Sequence, residues 1–408
     1  VVISVPGEYA ADEARRALNN NLHVMLFSDN VSLKDERELK ELACEKGLLM
    51  MGPDCGTAII NNVPLAFANV IRKGNIGIVG ASGTGIQEVT TLLDRLGEGV
   101  SQAIGTGGRD LHDEIGGLMM LQGIEALKND PQTEVIVLIS KPPSNIIAER
   151  IVEAVKDSPK PVVINFVGGD RTIIEKHGIN GAISLEDTAR KAIALLRNEE
   201  VKDFVAFDKS QEEINEIVEN EIKNLAPNQK FLRGLYTGGT LADEAMEILS
   251  RDMGHIYSNI PLKPEYQLKD VNTSVEHTCI DFGEDEFTVG RPHPMIDPSI
   301  RAERLAKEGE DEEVAVILMD FVIGYGAHED PVGEALDAIV EAKRSMEEKG
   351  GYLPVIASIC GTENDPQDLI ESQRRLEEIG VIVMPSNAQA VRLAGRILNK
   401  INGNMKRM

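Results

Sequence analysis

Gly74-Asn75-Ile76-Gly77-Ile78-Val79-Gly80-Ala81-Ser82-Gly83-Thr84-Gly85 decides the fold. An apolar run, Asn75–Val79, passes through a turn of small residues into an amphipathic stretch reaching Leu93, which reads as strand, glycine turn and helix. The same order recurs at Lys230–Leu249, with Tyr236-Thr237-Gly238-Gly239-Thr240 as its turn. Downstream, Val135–Ile139 answers to Val314–Met319, Pro161-Val162-Val163 to Pro354-Val355-Ile356, and Ala182-Ile183-Ser184 to Val383-Met384-Pro385. Two copies of one unit in one order are an internal duplication. Further strands are expected at Val1–Val5, His23–Phe27, Gly47–Met51, Pro161–Phe166, Leu353–Ile359 and Gly380–Met384. Val- and Ile-rich runs alternating with longer amphipathic segments predict an α/β protein with doubly wound parallel sheets. Ser32–Lys46 is an expected helix whose Ser32-x-x-Asp35 start forms a capping box with Asp in place of Glu. Leu196–Pro227, crowded with charge, reads as a solvated helix and linker.

At 408 residues, two or three domains are expected. Lys and Arg number 42 against 67 Asp and Glu, a formal charge of −25. That balance argues against nucleic acid and against an anionic membrane as partners, so an anionic ligand needs a local device to hold it. Cys44, Cys55, Cys279 and Cys360 are far apart without a CxxC pair, which argues against a zinc cluster and a disulfide framework. A reducing cytoplasm fits this pattern. No apolar run is long enough to span a bilayer and no leader is visible. The chain opens inside a strand without Met, which reads as a fragment lacking its natural N-terminus.

Both glycine turns set small residues between a buried strand and a helix, where backbone N–H groups and the positive helix end face an anion. Ser82, Gly83, Thr84 and Gly85, with Thr237, Gly238, Gly239 and Thr240, are therefore candidate phosphate- or anion-binding residues. The alternative is a tight turn without a ligand. Neither turn is a P-loop, since the Lys-Ser/Thr ending is absent, and neither is a dinucleotide fingerprint, since Glu88 stands where a third glycine belongs. Two facing helix starts would hold a phosphate better than one.

Gly52-Pro53-Asp54-Cys55-Gly56, followed by the Gly74–Gly85 run, resembles the α subunit of succinyl-CoA synthetase. The second half, through Cys360-Gly361-Thr362-Glu363, resembles the C-terminal ligase domain of that enzyme's β subunit. With Gly105-Thr106-Gly107-Gly108-Arg109-Asp110 and Val289-Gly290-Arg291-Pro292-His293-Pro294-Met295-Ile296-Asp297-Pro298, the combination is similar to the FdrA family. The resemblance implies a partial CoA-binding-type, Rossmann-like domain at 1–70 and an α-like, flavodoxin-like ligase domain at 71–199. A charged linker at 200–229 and a β-like ligase domain at 230–408 complete it. It also implies phosphate held at the paired glycine turns, and Pro53 and Cys55 in a CoA region, with Asp54 replacing an Asn.

The chain departs from the synthetase where phosphate is carried. The Gly-His-Ala-Gly-Ala-Ile segment of the active histidine becomes Gly178-Ile179-Asn180-Gly181-Ala182-Ile183, and His177, two residues upstream, points elsewhere. Lys141 replaces the glutamate that holds that histidine. No ATP-grasp domain precedes the β-like half. Covalent phosphohistidine catalysis is therefore not expected. What survives is electrostatic: the turns plus Lys141, suited to a carbamoyl or acyl phosphate.

Arg109 and Arg291 are candidate anion clamps and His293 a candidate proton donor or acceptor, each stiffened by neighbouring glycines or prolines. The alternative is rigid loops whose arginines make buried ion pairs. Cys55 is a reactive thiol if local dipoles lower its pKa, and an inert buried one otherwise. His23 reads as structural. His112, His255, His277 and His328 lack partners at metal-ligand spacing, so no metal is expected. The resemblance implies a subunit of an oxamate carbamoyltransferase of allantoin breakdown, moving a carbamoyl group between oxamate and phosphate with companion subunits. The alternatives are an acyl-CoA synthetase with a separate nucleotide-binding chain and a non-catalytic CoA- or metabolite-binding subunit. CoA, phosphate and carbamoyl phosphate are the candidate ligands, small anionic metabolites the candidate partners, and a homo-oligomer a further expectation.

Overall fold

Every residue of the strand Val314–Val322 is buried, the mark of a central parallel strand covered on both faces. The computed structural model describes residues 1–403, which fall into two compact units, Val1–Phe204 and the residues from Val205 onward.

The first unit contains two sheets. Strands β1 (Val2–Ile3), β2 (Val24–Leu26) and β3 (Met50–Met51) run parallel in that order. They are covered by helices Gly7–Asn19 and Leu33–Lys46, with Ala14, Leu18, Leu26, Leu39 and Met50 in the core. The second helix starts at Ser32, whose Oγ accepts from Asp35 N at 3.1 Å, but Asp35 Oδ2 meets Ser32 Oγ (2.6 Å) and not its backbone N–H, so the expected capping box is only half formed. All three expected strands shorten here. Gly47 is the left-handed cap (φ 65°) that ends this helix, so the third strand cannot start at 47.

The larger sheet of this unit comprises β4 (Thr57–Ile60), β5 (Val63–Ala66), β6 (Lys73–Ala81), β7 (Val100–Gly105), β8 (Val135–Ser140), β9 (Val162–Phe166) and β10 (Asn180–Gly181). Its order is β10-β9-β8-β6-β7-β4-β5. All pairings are parallel except at the β4–β5 hairpin, which joins β7 antiparallel at the edge. The hairpin turns on Asn61 and Asn62, both at positive φ, a backbone twist that matches the strands it joins.

In the second unit, β11 (Phe231–Tyr236), β12 (Tyr257–Ser258), β13 (Thr278–Asp281), β14 (Val314–Val322), β15 (Val355–Cys360) and β16 (Val381–Met384) form one parallel sheet. Its order is β12-β13-β11-β14-β15-β16. The duplication is visible in these neighbours: β6 is followed outward by β8, β9 and β10, and β11 by β14, β15 and β16. The core gathers Leu235, Ile280, Ile317, Met319, Phe321, Ile339 and Val355, each such side chain contributing about 1.5–3 kcal/mol by burial.

The segment expected to be a solvated linker is corrected in part. Helix Gln211–Ile222 carries a full capping box from Ser210 and Glu213, buries Ile214 and Val218, and packs on helix Asn387–Ile401, so it belongs to the second unit. Among the described residues no helix is long and apolar enough to cross a membrane.

Candidate functional site

Three glycine-rich segments of the first unit meet at the carboxyl ends of β6 and β7, where ligands of open α/β sheets bind. Asp54, Cys55, Gly56 and Thr57 form one wall, Gly80, Ser82 and Gly83 the second, and Gly105, Gly107 and Gly108 the third. The hollow has about 170 Å³ of empty space, its solvent-facing side included. Its shape depends on missing side chains. Gly107 has φ +87°, and a Cβ there would lie 2.2 Å from the Pro53 carbonyl. A Cβ on Gly85 would lie 2.3 Å from Ser82 Oγ and break the cap that starts helix Gly83–Arg95.

In that cap Ser82 Oγ accepts from Gly85 N at 3.0 Å, and Ser82 O accepts from Ile86 N at 3.1 Å. The N–H groups of Gly83 and Thr84 have no hydrogen-bond partner among the described residues, so the positive end of a thirteen-residue helix opens on the hollow. Thr57, 2% exposed, also has an Oγ1 without a hydrogen-bond partner there. Nothing in the sequence pattern singles out Thr57, since a lone Thr in a short strand is common. Lys141 is half-buried and follows Ser140, whose register partner Ala81 precedes Ser82.

The other two residues of this unit turn out differently. Cys55 is 2% exposed and burial pushes its thiol up to about 12, so the reactive-thiol expectation is corrected: it packs as an inert wall. Arg109 lines no part of the hollow. Its Nη2 donates to Val31 O at 2.8 Å and lies 2.9 Å from Glu36 Oε2, so the structural alternative holds and the anion clamp is withdrawn. The loop is anchored from beneath by Lys40, fully buried, whose Nζ donates to Glu36 Oε1 (2.8 Å), Thr106 O (2.9 Å) and Asp110 Oδ1 (2.8 Å). Asp110 in turn accepts from Met119 N and Met120 N, capping helix Leu118–Asn129. Ile179, which the resemblance sets at the position of the synthetase's histidine, packs against the core, and His177 is exposed.

In the second unit the duplicated turn is filled by the chain itself. Asp320 accepts from Thr237 N and Gly238 N, each at 2.8 Å, and from Thr237 Oγ1 at 3.1 and 3.2 Å. Arg301, 2% exposed, donates to the same carboxylate at 3.0 Å. Of the expected anion-binding residues Thr237, Gly238, Gly239 and Thr240, the first two are therefore corrected, because their N–H donors are committed to Asp320. Register explains the difference between the copies. With the helix caps Ser82 and Gly238 aligned, Gly80 pairs with Ile139, while Tyr236, one residue beyond the Leu235–Met319 pair, falls opposite Asp320, which sets Asp320 where the first copy has Ile139.

His293 stands over this turn. A Cβ on Gly283 would lie 2.9 Å from its Nε2 and 3.1 Å from Asp281 Oδ1. Its Nδ1 accepts from Met295 N at 3.2 Å, so the neutral ring carries its proton on Nε2. Burial lowers its pKa to about 4, which makes it a hydrogen-bond donor near neutrality and a weak base. Arg291 is exposed on the preceding turn.

Comparison with known proteins places these features in a family context. The CoA binding domain family matches residues 71–168, on the seven-stranded sheet rather than the N-terminal three strands, and the CoA-ligase family matches 235–397. The uncharacterized protein YahF of Escherichia coli is 50% identical over 400 residues, covering 98% of this chain and 76% of that protein. The alpha subunit of the ADP-forming succinate–CoA ligase of Methanothermobacter thermautotrophicus is 28% identical over 185 residues, 45% of this chain. The match spans 61% of that subunit's length. Among solved structures, the dinucleotide-forming acetyl-coenzyme A synthetase 1 of Ca. Korarchaeum cryptofilum is 15% identical with a TM-score of 0.39, covering 99% of this chain and 85% of that one.

Proposed function

The chain belongs to the family of YahF, within the acyl-CoA synthetase and succinyl-CoA ligase superfamily, and from that footing we propose that it is a transferase subunit binding a compact phosphate-type anion at the Ser82 turn. The observation that supports this reading is the open Gly83 N–H at the helix start that lines the hollow, whereas at the duplicated turn a buried carboxylate, Asp320, already sits on the N–H groups of Thr237 and Gly238 just before the helix. The finer reading is the FdrA-type one, a carbamoyltransferase moving a carbamoyl group between oxamate and phosphate with companion subunits. A phosphate oxygen attacks the carbamoyl carbon, the carbon–nitrogen bond to oxamate breaks, and the nitrogen takes up a proton. The Gly83 N–H at the helix start would hold the phosphate and stabilise charge growing on its oxygens. Ile179 in place of a phosphate-carrying histidine favours this over a phosphorelay.

CoA is the ligand the matched domain families favour, and it supports a second reading, an acyl-CoA ligase working with a nucleotide-binding chain. The hollow itself does not fit the whole cofactor. It is a small, solvent-open recess that cannot enclose the nucleotide part, so no step here runs through CoA.

Titration of the full chain with phosphate, carbamoyl phosphate, oxamate and CoA, alone and with companion subunits, separates the readings by their effect on Tm. Phosphate and carbamoyl phosphate are expected to raise it. A rise with micromolar CoA and none with carbamoyl phosphate would sink the carbamoyltransferase reading. Labelled ATP is expected to leave no acid-labile phosphate on the protein, and its appearance would favour the ligase.

A further inference from the structure

Thr57 carries a buried hydroxyl that the chain leaves unpaired, although such atoms in native proteins are nearly always satisfied. It begins β4, held by antiparallel pairing of Thr57 with Ala66 and of Ile59 with Ala103, so its place is set by a sheet and not by a loop. Its carbonyl packs on Gly105, where a Cβ would come within 2.2 Å, which fixes the residue from behind. In front, the hydroxyl faces the helix start: a Cβ on Gly83 would lie 3.4 Å from Thr57 Oγ1. The Gly83 N–H and the Thr57 hydroxyl, both unpartnered and rigidly mounted, thus line one small hollow at a helix start.

We propose that Thr57 is a ligand-contact residue of this pocket, its hydroxyl donating to one oxygen of a compact oxyanion, phosphoryl or carboxylate, another oxygen of which faces the helix start at Gly83 N–H. This deepens the anion reading above and rests on it. A hydroxyl placed for a ligand has an unusual signature. Removing it relieves an unsatisfied buried donor in the free protein and at the same time deletes a contact in the complex, so stability and affinity move in opposite directions.

The test compares wild-type protein with Thr57→Val, Thr57→Ser and Thr57→Ala, titrating inorganic phosphate and sodium acetate by calorimetry and recording Tm without ligand. Thr57→Val is expected to bind the preferred oxyanion about tenfold more weakly, with a ligand-free Tm equal to or above wild type. Thr57→Ser should stay within about threefold of wild type, and Thr57→Ala, which leaves space if valine does not fold, should lose affinity like valine. A purely structural role predicts the reverse, a lower Tm with affinity unchanged. Thr57→Val binding as tightly as wild type overturns the assignment while the anion reading stands. Wild type binding neither anion overturns both.

Discussion

Two histidines give the first measurable consequence of burial. His293 and His277 both have their pKa lowered to about 4, chiefly by desolvation, with the Arg233 guanidinium adding to the effect on His277. Because the folded value lies below the ordinary one near 6.5, the neutral ring is the native form. Its contribution is complete above pH 6.5 and is lost as pH falls from 6.5 toward 4. By pH 5, before most carboxylates titrate, each is expected to have cost on the order of 2 kcal/mol. Urea midpoints measured from pH 7.5 to 5 should show that fall, and His293→Gln should flatten part of it. A curve as steep in the variant as in wild type would remove His293 from the account. Cys55, with its thiol near 12, should resist iodoacetamide at pH 8 in the native protein and react only in denaturant, as mass spectrometry of the peptide would show. At this scale the sequence was least legible. Arg109, His293 and Cys55 are noticeable residues, yet their roles depend on Glu36, Met295 and Thr57, partners that no spacing rule connects to them.

A strand–turn–helix unit was the easiest element to read, because a fully buried strand leaves a run of Val and Ile that little else produces. The hairpin Thr57–Ala66 was missed although Asn61-Asn62 is a residue pair suited to positive φ, and β7 and β13 were missed because short runs with Gln, Ser or Asp blur the pattern. Asp320 had a usable signal: a single acid inside the nine-residue run Val314–Val322 must be paired if it is buried. Its role yields two predictions. Asp320→Ala leaves Arg301 buried without its carboxylate and is expected to cost about 3–5 kcal/mol, read from denaturant unfolding. Ile139→Asp, which transplants the acid to the matching position of the first copy, should abolish the rise in Tm with phosphate, while Ile139→Asn, of the same size as Asp but uncharged, should weaken it less. Undiminished phosphate binding by Ile139→Asp would separate the two turns mechanistically.

Over the whole chain, the doubly wound class was legible from alternation alone, whereas the place of residues 205–229 was not, since a polar composition hides the Ile214 and Val218 stripe. Limited trypsin digestion is expected to cut first at Lys202 or Lys209, in the exposed stretch around Val205, and to give two fragments of similar size. Early cleavage inside Gln211–Ile222 would contradict its packing. The borders of the large sheets have a consequence for solubility. β10 and β12 are two residues long, and β5 carries Pro64 and ends at Ala66 with φ 56°. An interior this rich in Val and Ile would be a template for fibrous self-pairing if its margins were long and regular. Clipped, proline-bearing margins leave few free rungs on which another molecule's backbone could align, so concentrated protein should stay dispersed as long as it stays folded.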